Sequence, residues 1–349
     1  MNPYSSAHAP TDTVRQASDV LLVLDSADRG VSQSITGEVY ANPITQPYNN
    51  FNLQKPQALV QGGIKRLKLT EVKFPYAIPN NVPTVTNFVW VQTYSRSTGA
   101  FIAEALITLS GFSTGFYSGT QYATELQTRL RASATIGVAA GNTWVVTYGT
   151  DSSFIITSDV TGTANLFTMT PIQKSTIGSV ALPPKSLLSV LGFDVINNFN
   201  DVCVTPSDPK VSLYTPLSYT SYIDMTSVNL TRFQTIADTS TRQDSRGNLI
   251  CRLFVADENS VVPTIGAYWD SSSNVSVTYN TATPAGSLPF VIHRQFQDPK
   301  VFRWENNASI NAIDIQLYDD VGNLLFYPSS VAASYSVPNF QVSFKCSEE

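Results

Sequence analysis

Hydrophobic and polar positions alternate along much of this chain, and the alternation is clearest near its end. Ile313, Ile315 and Leu317 fall on one side of an extended stretch while Asp314, Gln316 and Tyr318 fall on the other, the period-2 pattern of a strand with one buried face. Asp319-Asp320-Val321-Gly322-Asn323 then supplies turn residues, and Leu324, Leu325 and Phe326 resume an apolar strand, so Phe290 to Phe326 is expected to form consecutive strands. Leu249, Cys251, Leu253 and Val255 repeat the alternation, as do Phe340, Val342, Phe344 and Cys346. Val20 to Leu24 is apolar at every position, which predicts a strand buried between two layers. Gly37 to Tyr40 reads as another extended stretch, placed at an edge or bend by Pro43 and Pro47. From Ile64 to Phe74 the apolar face changes phase, from Leu67 and Leu69 to Val72 and Phe74, and a bulge near Thr70 and Glu71 accounts for the slip.

The texture changes at Pro75 to Pro83, where an inserted module is expected to begin. Phe88 to Tyr94 and Phe101 to Leu109 read as strands around the turn Ser97-Thr98-Gly99. A helix follows: Ser118 and Gln121 form a capping-box pattern, Tyr122, Leu126 and Leu130 make one apolar stripe, and Glu125 and Arg129 are spaced to pair. Trp144 to Tyr148, Ser153 to Thr157 and Leu166 to Thr170 offer strands to cover it, and Leu187 to Phe193 reads as a helical turn stopped by Gly192. The expected division is an N-terminal arm at 1–17, a first part of the main sandwich at 18–84, the inserted domain at 85–205 and the second part at 206–349. Eight to ten strands outside the insertion make the fold all-β, a single jelly-roll sandwich with an inserted β-rich domain carrying one helix.

Composition narrows the function. Charged residues are only 13% of the chain, against about 25% in ordinary soluble domains. A neutral, hydroxyl-rich exterior suits a protein walled in by neighbours as well as an ordinary sandwich. The net charge of −5 argues against a protein whose main work is coating nucleic acid. The most basic stretch holds Lys65, Arg66, Lys68 and Lys73: either a solvated or edge strand that discourages unwanted pairing, or a contact with an encapsidated genome or an acidic neighbour. No secretory signal or membrane span is read, so a cytosolic setting is expected. Cys203, Cys251 and Cys346 give neither a disulfide framework nor metal spacing, and Cys251 and Cys346 are expected to be buried.

The same C-terminal block carries a family resemblance. His293-Arg294-Gln295-Phe296, Asp298-Pro299-Lys300, Phe302-Arg303-Trp304 and Leu317-Tyr318-Asp319-Asp320-Val321-Gly322-Asn323 resemble the closing block of penton proteins, the minor capsid proteins of virophages and polinton-like viruses. Tyr219-Thr220-Ser221-Tyr222-Ile223-Asp224 and Ser227-Val228-Asn229-Leu230-Thr231 extend the resemblance upstream, and the helix, strands and Leu-Gly-Phe of the insertion extend it weakly. The resemblance implies a non-enzymatic protein forming homopentamers at five-fold vertices, contacting the major capsid protein, with the inserted domain projecting outward and a host glycan or receptor as its target. Its expected location is the virion capsid, after assembly in the host cytoplasm. Tyr222, Arg294, Phe296 and Arg303, aromatic or arginine side chains on strands, are the expected subunit contacts.

Candidate chemistry is sparse. Two histidines, His8 and His293, exclude most metal and general-base schemes that a jelly roll hosts, and His293 is expected to be a strand residue bonded near Arg294 and Asp298. Asp319 and Asp320 are read as a turn, with a cation site or a glycosidase-type carboxylate pair as the alternatives. No cofactor or metal is expected. The sequons at Asn229, Asn274 and Asn307 would matter only in a secreted chain. The rival function is a lectin-like or attachment protein using Trp90, Trp144 and Trp269 as sugar platforms.

Overall fold

The computed structural model describes residues 19–30, 48–54, 66–83, 85–150, 152–158, 165–176, 185–193, 210–212, 217–231, 248–255, 267–270, 275–278, 290–297, 300–303, 312–325 and 339–347. The main body is two facing antiparallel sheets. One takes β1 (Asp19–Asp25), β17 (Gln341–Ser347), β3 (Arg66–Tyr76) and β14 (Phe290–Gln295) in that order, with β15 (Val301–Arg303) also on β3. The other runs β11 (Leu249–Phe254), β10 (Tyr222–Thr226), β16 (Ala312–Tyr318) and β2 (Asn50–Gln54). The first strand pairs with the last, β3 passes to β10 in the opposite sheet, and every ladder is antiparallel, which is the connectivity of a jelly roll. Leu67, Leu69, Val72, Phe74, Phe302, Ile313, Ile315, Leu317, Val342 and Phe344 meet between the sheets, all at 0–1% exposure. The expected Ile313, Ile315, Leu317 face is therefore the buried one.

The slip in β3 is a bulge. Ser343 faces Glu71 and Phe344 faces Leu69, so Thr70 has no partner of its own in β17. Its hydroxyl donates to the Ser343 carbonyl at 3.0 Å and its carbonyl accepts the Phe296 N–H at 3.0 Å. The extra residue lets both apolar pairs on β3 face inward.

A second core is built from residues 89 to 217. Here β5 (Phe101–Thr108), β4 (Phe88–Tyr94) and β8 (Leu166–Thr170) form one sheet, and β6 (Val145–Tyr148), β7 (Phe154–Thr157) and β9 (Lys210–Val211) form another. Helix α1 (Gly119–Ala132) starts at Ser118 with both capping-box bonds present, and its Tyr122, Leu126 and Leu130 are fully buried. Glu125 pairs with Arg129 at 2.6 Å. The short α2 (Leu187–Val190) ends as its sequence implies: Gly192 takes φ 77° and the Phe193 N–H bonds to the Leu188 carbonyl.

Several expectations change. β1 is an edge strand, not one buried between layers: Leu24 is buried, but Val20, Leu21 and Val23 are 51, 64 and 49% exposed. A run of apolar residues reads the same whether its second face meets another layer or is bare. Strand β3 is central rather than an edge, so its cations sit on a solvated outer face. Leu324 makes only an isolated bridge to Tyr318 and Leu325 is buried without strand pairing, while Phe326 lies outside the described residues. Strand β9, beyond position 205, joins the second module's sheet. β12 (Ala267–Asp270) and β13 (Val275–Thr278) form a separate two-stranded ribbon, and a second short helix, α3 (Val228–Thr231), follows β10. The arm at 1–17 and the stretch from Gly37 to Tyr40 lie outside the described residues.

Candidate interaction surfaces and the junction between the cores

Among the described residues a dense set of polar contacts lies where the two cores meet. The turn after β16 is set by Asp319, whose Oδ1 accepts the N–H groups of Val321 and Asn323 at 3.1 and 2.9 Å, while its Oδ2 is buried without a partner. Asp320 points the other way and pairs with Lys185, which precedes α2 in the second module. The Ser221 N–H donates to Asp320 Oδ2 at 2.7 Å, the Asp320 N–H donates to Thr220 Oγ1 at 3.1 Å, and the Tyr222 hydroxyl donates to the Asp320 carbonyl at 3.1 Å. The Lys185 ammonium also lies 5.3 Å from the Tyr219 ring centre. Burial alone would raise the Asp320 carboxyl, but Lys185 and the Ser221 N–H more than offset it and hold it below the usual carboxylate range. Asp319 goes the other way: burial raises it, and Lys185 with the two turn N–H groups compensates only in part. Burial, then the two carboxylates, pushes the Tyr219 hydroxyl up to about 12.

A second tie uses Asn80, fully buried. Its amide donates to the Tyr117 carbonyl at 2.8 Å and the Leu217 carbonyl at 3.0 Å, and its oxygen accepts the Tyr117 N–H at 2.9 Å. Asn81 adds a bridge to Gly115 and a bond to the Ser113 carbonyl. Both asparagines lie in the proline-rich stretch that marks the change of texture, and they fasten the start of the insertion to its own loop before α1. The Asp319-Asp320 pair is thus a turn and a junction, and among the described residues no three His, Cys, Asp or Glu converge as metal ligands.

The four expected contact residues do not form one patch. Tyr222 is on the four-stranded sheet, half-buried, its ring 3.8 Å from the Arg252 guanidinium, which itself binds Asp224 at 2.7 and 2.9 Å. Arg294 and Phe296 are half-buried on the other sheet, Arg294 sharing the inward register of Ile292 and lying 5.8 Å from the Phe296 ring. Arg303 is exposed and faces Arg66 across the β15–β3 pair. Among the described residues His293 is paired with Glu71: its Nε2 is 2.6 Å from Glu71 Oε1, across the register of β14 against β3, while Asp298 lies outside the described residues. Lys73, at 3.1 Å, and then His293 hold the Glu71 carboxyl below its ordinary value.

Trp144 is removed as a sugar platform. It is fully buried, and its indole N–H donates to the Ile136 carbonyl at 2.6 Å. Trp90 is half-buried on β4, and the side chain of Trp269 lies outside what is described. Cys251 and Cys346 are buried free thiols, Cys251 pushed up to about 12 by burial, and Cys203 lies outside the described residues. Of the sequons, Asn229 is half-buried in α3 with its N–H on Asp314, while Asn274 and Asn307 lie outside. No helix among the described residues is long and apolar enough to cross a membrane.

Sequence reasoning did not single out Lys185, Asn80 or the bare face of β1. Lys185 had a signal: it is the only charged residue between Lys174 and Asp194, set just before a helix cap among apolar residues.

Comparison with known proteins adds structural likenesses of low identity. The chain is similar in structure to chains from two virophages. Against the crystal structure of the mavirus penton protein the TM-score is 0.48 at 11% identity, covering 96% of this chain and 100% of that one. Against a chain of the Sputnik virophage structure from cryo-EM it is 0.46 at 11% identity, covering 95% and 98%. No protein-family model matches the chain, and no curated protein matches it in sequence.

Proposed function

We propose that this chain is a structural protein of a viral capsid, a penton that assembles as a homopentamer at the five-fold vertices and contacts the major capsid protein. The observation that carries the reading is where the resemblant block lies. Its words fold into β14 and β15 on one sheet and β16 with its Asp319-Asp320 turn on the other, so the block is the frame of the jelly roll rather than a decoration on it. A vertex subunit needs a sandwich whose strands stay fixed while one edge meets a different edge of the next copy, and a heterologous contact of that kind closes into a ring. The second module, residues 85–205 with β9 added, departs after β3 and returns before β10, and the Lys185–Asp320 pair fixes it to the turn of β16. In this reading it projects outward, where a host glycan or receptor is its target. The protein acts without catalysis and belongs to the virion.

Native mass spectrometry of the purified chain, alone and mixed with the matching major capsid protein at physiological salt, tests this. A fivefold mass, alone or on mixing, is the expected result. A strict monomer that ignores the capsid protein and binds a glycan array would overturn it in favour of a lectin.

A further inference from the structure

The turn after β16 holds a carboxylate oxygen that the junction leaves without a bond. Asp319 is 1% exposed, and its two oxygens sit in unlike surroundings. Oδ1 accepts the N–H groups of Val321 and Asn323, which fixes the turn, whereas Oδ2 is buried and meets no donor. The cation that faces it among the described groups, Lys185, is in direct contact with the neighbouring Asp320 instead. The other titratable groups facing these carboxylates are Tyr219, ahead of β10, and Tyr76, on β3. Burial raises both phenols, so neither gives up a proton near neutrality. Fully ionised, the cluster therefore holds two carboxylates against one ammonium, an excess negative charge in a place largely withdrawn from water. An uncompensated buried charge of that kind is costly.

We propose that Asp319 is a proton-binding latch: the junction between the two modules takes up one proton there in mildly acidic medium and is tighter for it. A proton on Oδ2 leaves both turn bonds on Oδ1 in place, removes the excess charge and leaves Lys185 to Asp320 alone. The neutral carboxyl is the form that such surroundings favour, because burial penalises the charged one. The balance of forces on Asp319 has that sign: burial raises its carboxyl, and Lys185, then the two turn N–H groups, compensate only in part. A folded-state value above the unfolded one gives stability that is complete at low pH and is lost as pH rises through the folded value. Asp320 runs in the opposite sense, its contribution failing only as pH falls through its lowered value. Between the two lies a window in which Asp319 is neutral, Asp320 is ionised and the tie to Lys185 is at its strongest. The inference needs only the fold of the junction and does not depend on the capsid reading.

The test uses the full chain and two readouts by nuclear magnetic resonance. Hydrogen exchange of the Ser221 N–H, which donates to Asp320 Oδ2, reports opening of the junction. After correction for the intrinsic pH dependence of exchange, its protection should rise about threefold or more from pH 7 to pH 5 in wild type. In Asp319→Asn, which keeps the Oδ1 acceptor and cannot ionise, protection should stay level over the same range. Carboxyl spectra of protein labelled with carbon-13 aspartate give the second reading: the signal lost in Asp319→Asn should titrate above 3.8, and the signal lost in Asp320→Asn below it. Protection that changes equally in wild type and Asp319→Asn, or an Asp319 signal that titrates at or below 3.8, would overturn the latch. If Asp319→Asn does not fold, the wild-type carboxyl signal, assigned through its own backbone, decides the matter in the same way.

Discussion

Replacing Lys185 by methionine isolates the junction between the two cores. The Lys185 side chain is 8% exposed and that of its partner Asp320 16%, so the pair is largely withdrawn from water. Removing one member of such a pair leaves an uncompensated charge, at a cost of about 3–5 kcal/mol. Asp320 keeps the Ser221 N–H and some access to solvent, which places Lys185→Met near the lower end, about 3 kcal/mol. Asp320→Asn should cost about the same, since it strands the ammonium but retains an acceptor for Ser221. With both changes made, neither charge is stranded and the methionine can rest on Tyr219. The double variant should then be more stable than the sum of the single losses by at least about 2 kcal/mol, the coupling a contacting pair shows. The assay is urea unfolding followed by far-ultraviolet circular dichroism on wild type, both single variants and the double. Single effects that add to within about 0.5 kcal/mol would refute the claim that this pair joins the cores.

The acid limb of stability should be shaped by the same carboxylate. Because the folded state holds Asp320 below its ordinary value, its contribution is complete above the usual carboxylate range and is lost as pH falls through the lowered value. In Asp320→Asn that part of the acid-induced loss should vanish when melting temperature is followed from pH 6 downward. Leu126→Ala should cost about 2–5 kcal/mol, because it empties a fully buried place between α1 and the second module's sheets. Calorimetry should then show the second core melting ahead of the sandwich.

Local chemistry was legible in the sequence wherever one residue type has one physical use. The cap at Ser118, the stop at Gly192, the stripe on α1 and the bulge at Thr70 all follow from patterns a few residues long, and the structure realises each one. Long-range pairing was not legible in the same way. His293 was expected near sequence neighbours and found Glu71, 222 residues away, because the partner of a strand residue is set by register between distant strands. Trp144 looked like a platform since its sequence does not say which face of β6 and the preceding turn meets the helix. Lys185 and Asp320 are 135 residues apart, and no spacing rule connects them.

The least legible feature is also the most informative. An apolar run such as Val20 to Leu24 specifies how many faces want to leave water, but not which partner removes the second one. Within the chain, β17 and the inner core satisfy Leu22 and Leu24, and the described elements leave Leu21 and Val23 bare. At about 25 cal/mol for each Å² of apolar surface, two such side chains left wet are a small cost for one molecule. The sequence pattern predicted a strand buried on both faces, and the structure makes it an edge strand with one bare face.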